Sequence, residues 1–457
     1  MRKLLIANRG EIAVRIARAA REQGISSVAV YSEADREAEH VRAADEAVLV
    51  GPAPAPASYL AVDAILAAVR SSGADAVHPG YGFLSENADF AQAVLDAGAI
   101  WVGPEPNAIR EMGDKVAARK SAEAAGVPTV PGSVGEIHDA TEAAQVAERI
   151  GFPLAIKAAA GGGGRGIRIV TRQEDLAAAI GTAQAEARAA FGSDAVYVER
   201  FIPRARHIEV QIFGDGKDAV HLGLRDCSMQ RRRQKVIEEA GELGLPEWVV
   251  NGMSASAVQL ATSVGYTGAG TVEFLFDELR TEYYFIEMNT RIQVEHPVTE
   301  MVYRRDLVGE QLRVAAGNPL SFTQADLVPH GHAIEVRINA EDPERNFLPS
   351  PGTIERFDLP AGPFVRVDSG FKAGSVVAPF YDSMLAKVIV WGDDRPAALA
   401  RLARALRELA IEGVTTTAEF VDTVLSTEEF RNGMYHTTWL EQWMSEQADA
   451  RRARSDV

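Results

Sequence analysis

The stretch Phe285-Ile-Glu-Met-Asn-Thr-Arg-Ile-Gln-Val-Glu-His296 decides how this chain is to be read, because it sets two acids, an amide, an arginine and a glutamine within a dozen residues. Just upstream, Thr271-Val-Glu-Phe-Leu-Phe276 alternates in the manner of a half-buried strand and adds Glu273. Tyr283 to Asn289 predicts a second strand, with Asp277 to Glu282 as the polar turn between them. In an antiparallel hairpin centred on Arg280, Glu273 falls opposite Glu287, the two side chains sharing one face at roughly 5 Å. Carboxylates so placed repel unless a cation sits between them. Asn289 has the parity of Glu287, so its amide oxygen joins the same face. Hard oxygen donors of this kind suit magnesium or manganese, with phosphate oxygens completing the shell. Either glutamate alone reads as a surface acid on a solvated strand. Acids on both strands, followed at once by Arg291 and Gln293, favour the metal site.

The rest of the chain sets the frame. At 457 residues it can build two or three domains with substantial cores. Its 47% hydrophobic and 24% charged residues are those of a soluble globular protein. A net charge of −17 argues against a nucleic-acid partner, which would need a strong local basic surface. The densest cationic run, Gln230-Arg-Arg-Arg-Gln-Lys235, is short and lies in a strand-like segment. A single cysteine, Cys227, allows no internal disulfide and fits a reducing compartment. The apolar run Leu4-Leu-Ile-Ala7 is too short for a signal peptide, and no later run could span a bilayer. The expectation is a cytoplasmic protein with no membrane partner.

Outward from the hairpin, the pattern is α/β with α+β parts. Lys3 to Ala7, Glu11 to Gln23 and Ser27 to Tyr31 read as strand, helix, strand, so the opening region predicts a parallel sheet with helices on its faces. Ala76-Val-His78 leads into Pro79-Gly-Tyr-Gly82, and Ser85 is a plausible cap for a helix from Glu86 to Ala97. Loops at the carboxyl ends of such strands line ligand crevices, though this turn has an equally good structural reading. Beyond Pro128 and Pro131-Gly-Ser-Val-Gly135, strands Phe152–Ala158, Ile167–Val170 and Val196–Arg200 with a helix from Gln173 to Ala190 make a small α+β unit. Strands return after Pro203 and again from Ala333 to about Val390; a helix from Pro396 to Leu409 follows. The expected domains are 1–113, 114–203, 204–330 and 331–446, with a disordered tail at 447–457.

Gly161-Gly-Gly-Gly-Arg-Gly166 matches G-x-G-x-x-G formally, but it opens a strand rather than a helix, and no Lys-Ser or Lys-Thr closes it as in a P-loop. Glycines between two strands predict a flap whose backbone N–H groups close over a polyphosphate. Lys157, on the strand leading in, is placed to neutralise phosphate charge. A plain surface turn is the alternative.

Together these segments resemble biotin carboxylase, of the ATP-grasp superfamily. The resemblance runs from Ile6-Ala-Asn-Arg-Gly-Glu-Ile12 to about Leu440. It is carried by His78-Pro-Gly-Tyr-Gly-Phe-Leu-Ser-Glu-Asn87, Met112-Gly-Asp-Lys115, Arg225-Asp-Cys-Ser-Met-Gln230, Glu287 to His296, Arg337-Ile-Asn-Ala-Glu-Asp342 and Tyr381-Asp-Ser-Met384. It implies an N-terminal parallel-sheet (pre-ATP-grasp) domain, an ATP-grasp lid and core, and a C-terminal biotin-carboxylase domain. It also implies that bicarbonate attacks the γ-phosphate of MgATP to give carboxyphosphate, whose carbon dioxide carboxylates biotin.

By the same resemblance, Lys115, Lys157, Gly162, Gly163, Gly164, Gln230, Arg233 and His207 contact ATP, and Glu199 and Ile202 lie by the adenine. Glu273, Glu287 and Asn289 hold two Mg2+ or Mn2+ ions. Lys235, Arg291, Gln293 and the Val294 backbone bind bicarbonate. Glu295 is the base, Arg337 steadies the biotin oxyanion, and Tyr81 and Gly82 approach biotin. Bicarbonate is a poor nucleophile until a base takes its proton, and an arginine fork suits an oxyanion.

The chain departs from the family at Arg233, where His or Asn is usual, at Ala240–Pro246, at Tyr303-Arg-Arg305 and in the longer turn 277–282. With no Met-Lys-Met biotinylation hairpin, biotin is expected on a separate biotin carboxyl carrier protein, with a carboxyltransferase subunit taking the product of an acyl-CoA carboxylase. A homodimer is the family's habit, with Arg15 and Arg18 on a helix of its interface. The alternatives are a catalytically impaired nucleotide-binding scaffold subunit and another ATP-grasp ligase.

Overall fold

Strand β1 (Lys3–Ile6) feeds helix Gly10–Glu22, whose buried stripe Ile12, Ala13, Ile16, Ala17 and Ala20 covers one face of a sheet. With β2 (Ser26–Ser32), β3 (Glu46–Gly51), β4 (Ala76–His78) and β5 (Ile100–Trp101) it makes a five-stranded sheet in the order β3-β2-β1-β4-β5. Every pairing is parallel, as the strand–helix–strand opening predicts. Helices Val62–Ser72 and Ala88–Asp96 bury Ile65, Val69, Phe90 and Val94 on the other face. The cap of the latter helix is Asn87, not Ser85: its side chain accepts from the Phe90 N–H at 2.8 Å, and Ser85 lies in the preceding turn. This computed structural model describes residues 1–133, 135–158, 167–191 and 194–455.

The small unit forms as expected. β6 (Leu154–Ala158) lies between β7 (Ile167–Val170) and β8 (Val196–Arg200), antiparallel to both, over a core of Ile156, Val170, Leu176, Ile180, Val196 and Val198. The glycine flap with Gly162, Gly163 and Gly164 lies outside the described residues.

The site is built on an eight-stranded antiparallel sheet. It contains β9 (Ala205–Asp215), β10 (Ala219–Arg231), β11 (Gln234–Ala240), β12 (Thr267–Asp277), β13 (Glu282–Asn289) and β14 (His332–Asn339). The order is β13-β12-β9-β10-β11-β14, continued by Met384–Gly392 and Val365–Ser369, so strands on both sides of residue 330 share one sheet. The cationic run does not lie inside one strand but spans the end of β10, a turn and the start of β11. Arg232 and Arg233 are the two central residues of the tight β10–β11 turn, at φ 47° and 67°. Such turns favour Asn-Gly, because a side chain disfavours the left-handed region. Arg233→Gly is therefore expected to raise stability by about 0.5–1 kcal/mol, read from the urea midpoint.

The chain's end also differs from expectation. Helix Trp439–Ser455 runs through most of the segment expected to be disordered. Trp439 and Leu440 anchor it in the core, Glu441 accepts from the Arg232 N–H at 2.6 Å, and the Ala/Glu/Gln/Arg-rich continuation is good helix-forming sequence.

Arg15, expected at a dimer face, is turned inward onto Glu300 (2.9 Å) and Asp306, while Arg18 on the same helix is exposed. Arg366 also reaches Glu300, at 2.6 Å. Burial alone would raise the Glu300 carboxyl, but Arg15, His296 and Arg366 bring it from 4.5 down to about 2. A depressed carboxyl stabilises the fold above its unfolded pKa and ceases to as pH falls through the folded one. Glu300→Gln should cost about 3 kcal/mol at neutral pH. The gap from the parent should close between pH 4.5 and about 2 in acid-denaturation curves.

Candidate active site

The hairpin pairs its acids as the sequence requires, by a route the sequence does not show. Near the tip, Asp277 faces Glu282 and Phe274 faces Phe285, so the turn is centred before Arg280. Ile286 then steps out of the ladder as a bulge, and below it Glu273 faces Glu287 and Thr271 faces Asn289. β9 flanks β12 on its other edge with Glu209 opposite Glu273, and β10 places Arg225 opposite Glu209. One row across four strands thus reads Glu287, Glu273, Glu209, Arg225.

Around this row the polar groups converge. Glu273 accepts from Asn289 Nδ2 at 2.7 Å and from Gln293 Nε2 at 3.0 Å, and His207 Nε2 lies 2.9 Å from it. Lys235 Nζ bonds Glu209, lies 2.6 Å from Glu295 and reaches Glu273 at 3.4 Å. Burial would raise Glu273, but Lys235 and His207 hold it far below the usual carboxylate range. Glu287 is half-buried and shifts the other way: burial, then the charges of Glu273 and Glu86, lift it, with Lys115 opposing. Glu273 and Glu287, paired across the hairpin with one disfavoured by the other's charge, are donors that a hard divalent cation fits, while the Asn289 amide oxygen expected beside them is turned to Arg291.

Residues 290–295 are a loop, which lets side chains of mixed parity point at one centre. Arg291 donates to Glu86 Oε2 at 2.9 Å and to Asn289 Oδ1 at 2.8 Å. The buried ammonium of Lys387 holds the Val294 carbonyl at 2.8 Å. Glu295, just before helix His296–Tyr303, accepts from Lys235 and, at 3.1 Å, from Arg337 Nη2. Burial would raise its pKa; Lys235, Arg337 and Arg225 outweigh that and keep it well below 4.5.

The remaining candidates sit around this centre. Lys115 begins helix Lys115–Ala124 and is exposed. Lys157 on β6 bonds Glu199 on β8, and Ile202 is buried with Val130, Ala205 and Tyr284. Gln230 Nε2 donates to the Cys227 carbonyl at 3.4 Å. Arg233 is exposed on its turn, with no ion pair to an acid among the described residues. Tyr81 donates to Glu11, and its carbonyl accepts from Asn8 Nδ2 at 2.7 Å. Gly82, next in the turn, adopts φ 66°.

Several residues were missed. Arg225, fully buried, donates to Glu209, Gln211, Thr271, Thr299 and Gln293, and so ties three strands to the loop. The signal for its acid partner was present: His207-Ile-Glu-Val-Gln211 sets three polar groups at period two within an apolar strand. Lys387 and Glu86 carried no such local sign.

The chain matches known proteins along most of its length. Family models match in three consecutive pieces: biotin carboxylase, N-terminal domain, over residues 1–109; carbamoyl-phosphate synthase L chain, ATP binding domain, over 114–323; and biotin carboxylase C-terminal domain over 335–442. Biotin carboxylase 1 of Bacillus subtilis is 52% identical over 442 residues, covering 96% of this chain and 98% of that protein. The crystal structure of a biotin carboxylase–βγ-ATP complex from Campylobacter jejuni is 44% identical and matches with TM-score 0.90, over 96% of this chain and 98% of that one. The biotin carboxylase domain dimer of the Hydrogenobacter thermophilus 2-oxoglutarate carboxylase, in complex with MgADP, ADP and bicarbonate, is 45% identical with TM-score 0.88, over 96% and 97%. By these matches the chain belongs to the biotin carboxylase family, ATP-grasp ligases that use ATP to carboxylate biotin.

Proposed function

We propose that the chain carboxylates biotin presented on a separate carrier protein, using bicarbonate and ATP through carboxyphosphate, as the first half-reaction of an acyl-CoA carboxylase. The observation that carries this is the Glu295 carboxylate held between Lys235 and Arg337 beside the acid row. Glu273, Glu287 and Asn289 would hold Mg2+ or Mn2+, which neutralises charge on the β- and γ-phosphates. Lys115, Lys157, His207 and Gln230 contribute to nucleotide binding, with the glycine flap over the phosphates and Glu199 and Ile202 at the adenine. The exposed Arg233 reaches the phosphates only if the turn folds inward; in that case Arg233→His changes the Michaelis constant for ATP.

Bicarbonate is bound by Lys235, Arg291, Gln293 and the Val294 backbone. In the present arrangement two cations keep Glu295 ionised, so it is a ready acceptor with little hold on a proton. Arg337 turning to the biotin oxyanion beside Tyr81 and Gly82 leaves Glu295 with Lys235 as its close cation and raises its proton affinity. The Hydrogenobacter thermophilus domain, a dimer with MgADP and bicarbonate, supports both the ligands and a homodimer. The partners that follow are a biotin carboxyl carrier protein and a carboxyltransferase subunit, in the cytoplasm; no helix among the described residues is long and apolar enough to cross a membrane.

The test is ADP release by the purified chain with saturating magnesium and free biotin, together with carboxybiotin formation. Both should depend on bicarbonate. ATP cleavage indifferent to bicarbonate would overturn the proposal, and no cleavage at all would leave a nucleotide-binding scaffold.

A further inference from the structure

Two buried acids that play no part above face each other behind Arg337. Glu238 on β11 and Glu335 on β14 are direct cross-strand partners, and both are fully buried. Among the described residues neither oxygen of Glu335 finds a hydrogen-bond donor. Among the described residues the cation ion-paired with Glu238 is Arg337, whose Nη2 lies 2.5 Å from its Oε1, with Lys235 a more distant positive charge. That same nitrogen lies 3.1 Å from Oε2 of Glu295. One guanidinium nitrogen therefore stands between the Glu238 and Glu295 carboxylates, a separation that a single water molecule bridges once the arginine leaves. Two ionised carboxylates paired in a dry sheet interior repel, so such pairs retain a proton. Burial raises Glu335 far above its usual range against the pull of Lys387, and lifts Glu238 to about 7 against that of Arg337.

We infer that Glu238 and Glu335 are a proton-holding pair, and that Glu238 receives the proton Glu295 takes from bicarbonate when Arg337 turns to biotin. This rests on the roles proposed for Glu295 and Arg337. The step balances: the O–H bond at Glu295 breaks, one forms at Glu238, and the carboxylic acid and carboxylate exchange places with no redox change. Its direction follows from the cations. While Arg337 bonds both acids, it opposes the protonation of each. When it leaves, Glu295 still has Lys235 beside it, whereas Glu238 is buried with no other ion-paired cation among the described residues and becomes the stronger proton acceptor.

Other groups around the pair do not displace it. Lys387, from the neighbouring strand, is already shared with Glu11 at 3.1 Å and the Val294 carbonyl. Tyr81, bonded to Glu11, and Cys227 on β10 are pushed up by burial and stay neutral. His296 is pushed down by burial to about 3 and carries no charge. Glu238 and Glu335 are thus positioning residues for proton traffic and touch no substrate.

Infrared spectroscopy of the intact protein in D2O at neutral pH tests the pair directly. A C=O stretch of a protonated carboxylic acid, above the carboxylate bands, is expected in the parent and lost in Glu335→Gln. Its absence from the parent would overturn the inference, and that measurement needs no variant to fold. In kinetics, Glu238 must be ionised to accept, so the rate should fall as pH drops below about 7. Glu238→Gln should abolish that acid limb and lower kcat about tenfold or more, with the Michaelis constant for bicarbonate within about twofold. An acid limb unchanged in Glu238→Gln would also overturn it. A Glu295→Gln enzyme as fast as the parent would instead remove the base on which the transfer depends, and the parent's infrared band would be untouched by that result.

Discussion

Replacing Glu295 by glutamine should cut bicarbonate-dependent ADP release by roughly 10²-fold or more at saturating MgATP, the usual size of acid–base assistance. The amide fills the same space but accepts no proton. The carboxylate it replaces lies between Lys235 at 2.6 Å and Arg337 at 3.1 Å, so the variant also leaves two cations facing a neutral group. Lys235 keeps Glu209 and Glu273, which limits the structural damage. Because Glu295 touches none of the acids assigned to the metal, the Michaelis constant for ATP should change only a few-fold. A turnover close to the parent's would take Glu295 out of the chemistry.

Arg225→Met should destabilise the protein by about 3–5 kcal/mol, the cost of removing one member of a buried charge cluster. The guanidinium has no exposed surface and five side-chain partners, one of them the fully buried Glu209. Methionine fills much of the volume but leaves Glu209 facing Glu273 with Lys235 and, at 3.4 Å, His207 beside it. The urea midpoint reports the loss, and the double variant Arg225→Met/Glu209→Gln should recover much of it by removing the stranded charge. A loss below about 1 kcal/mol for Arg225→Met would show that charge balance is not what the arginine supplies.

The sequence made some of this architecture plain because the governing forces are local. The alternation in Thr271–Phe276 and Tyr283–Asn289 and the polar gap between them define the hairpin, while the bulge at Ile286 that brings Glu273 to Glu287 leaves no mark in that alternation. The parallel sheet follows from the first strand–helix–strand unit. What was hidden depends on tertiary neighbours. Nothing near Arg225 or Lys387 in the chain announces that each is a buried cation, since the acids that neutralise them come from other strands. Arg232 and Arg233 look like strand residues because no Asn-Gly marks their turn. Residues 447–455 read as a disordered tail because their charged run hides the helix that Trp439 and Leu440 anchor in the core.

The unpaired Ile286 splits the hairpin into two independently phased halves, one for the tip and one for the carboxylates. Residues could be added to or removed from positions 278–281 without rotating Glu287 away from Glu273, since the slack is taken up before the ladder reaches them. That makes the tip a natural place for length variation among relatives, and a practical site for splicing in a reporter peptide that leaves the chemistry downstream undisturbed.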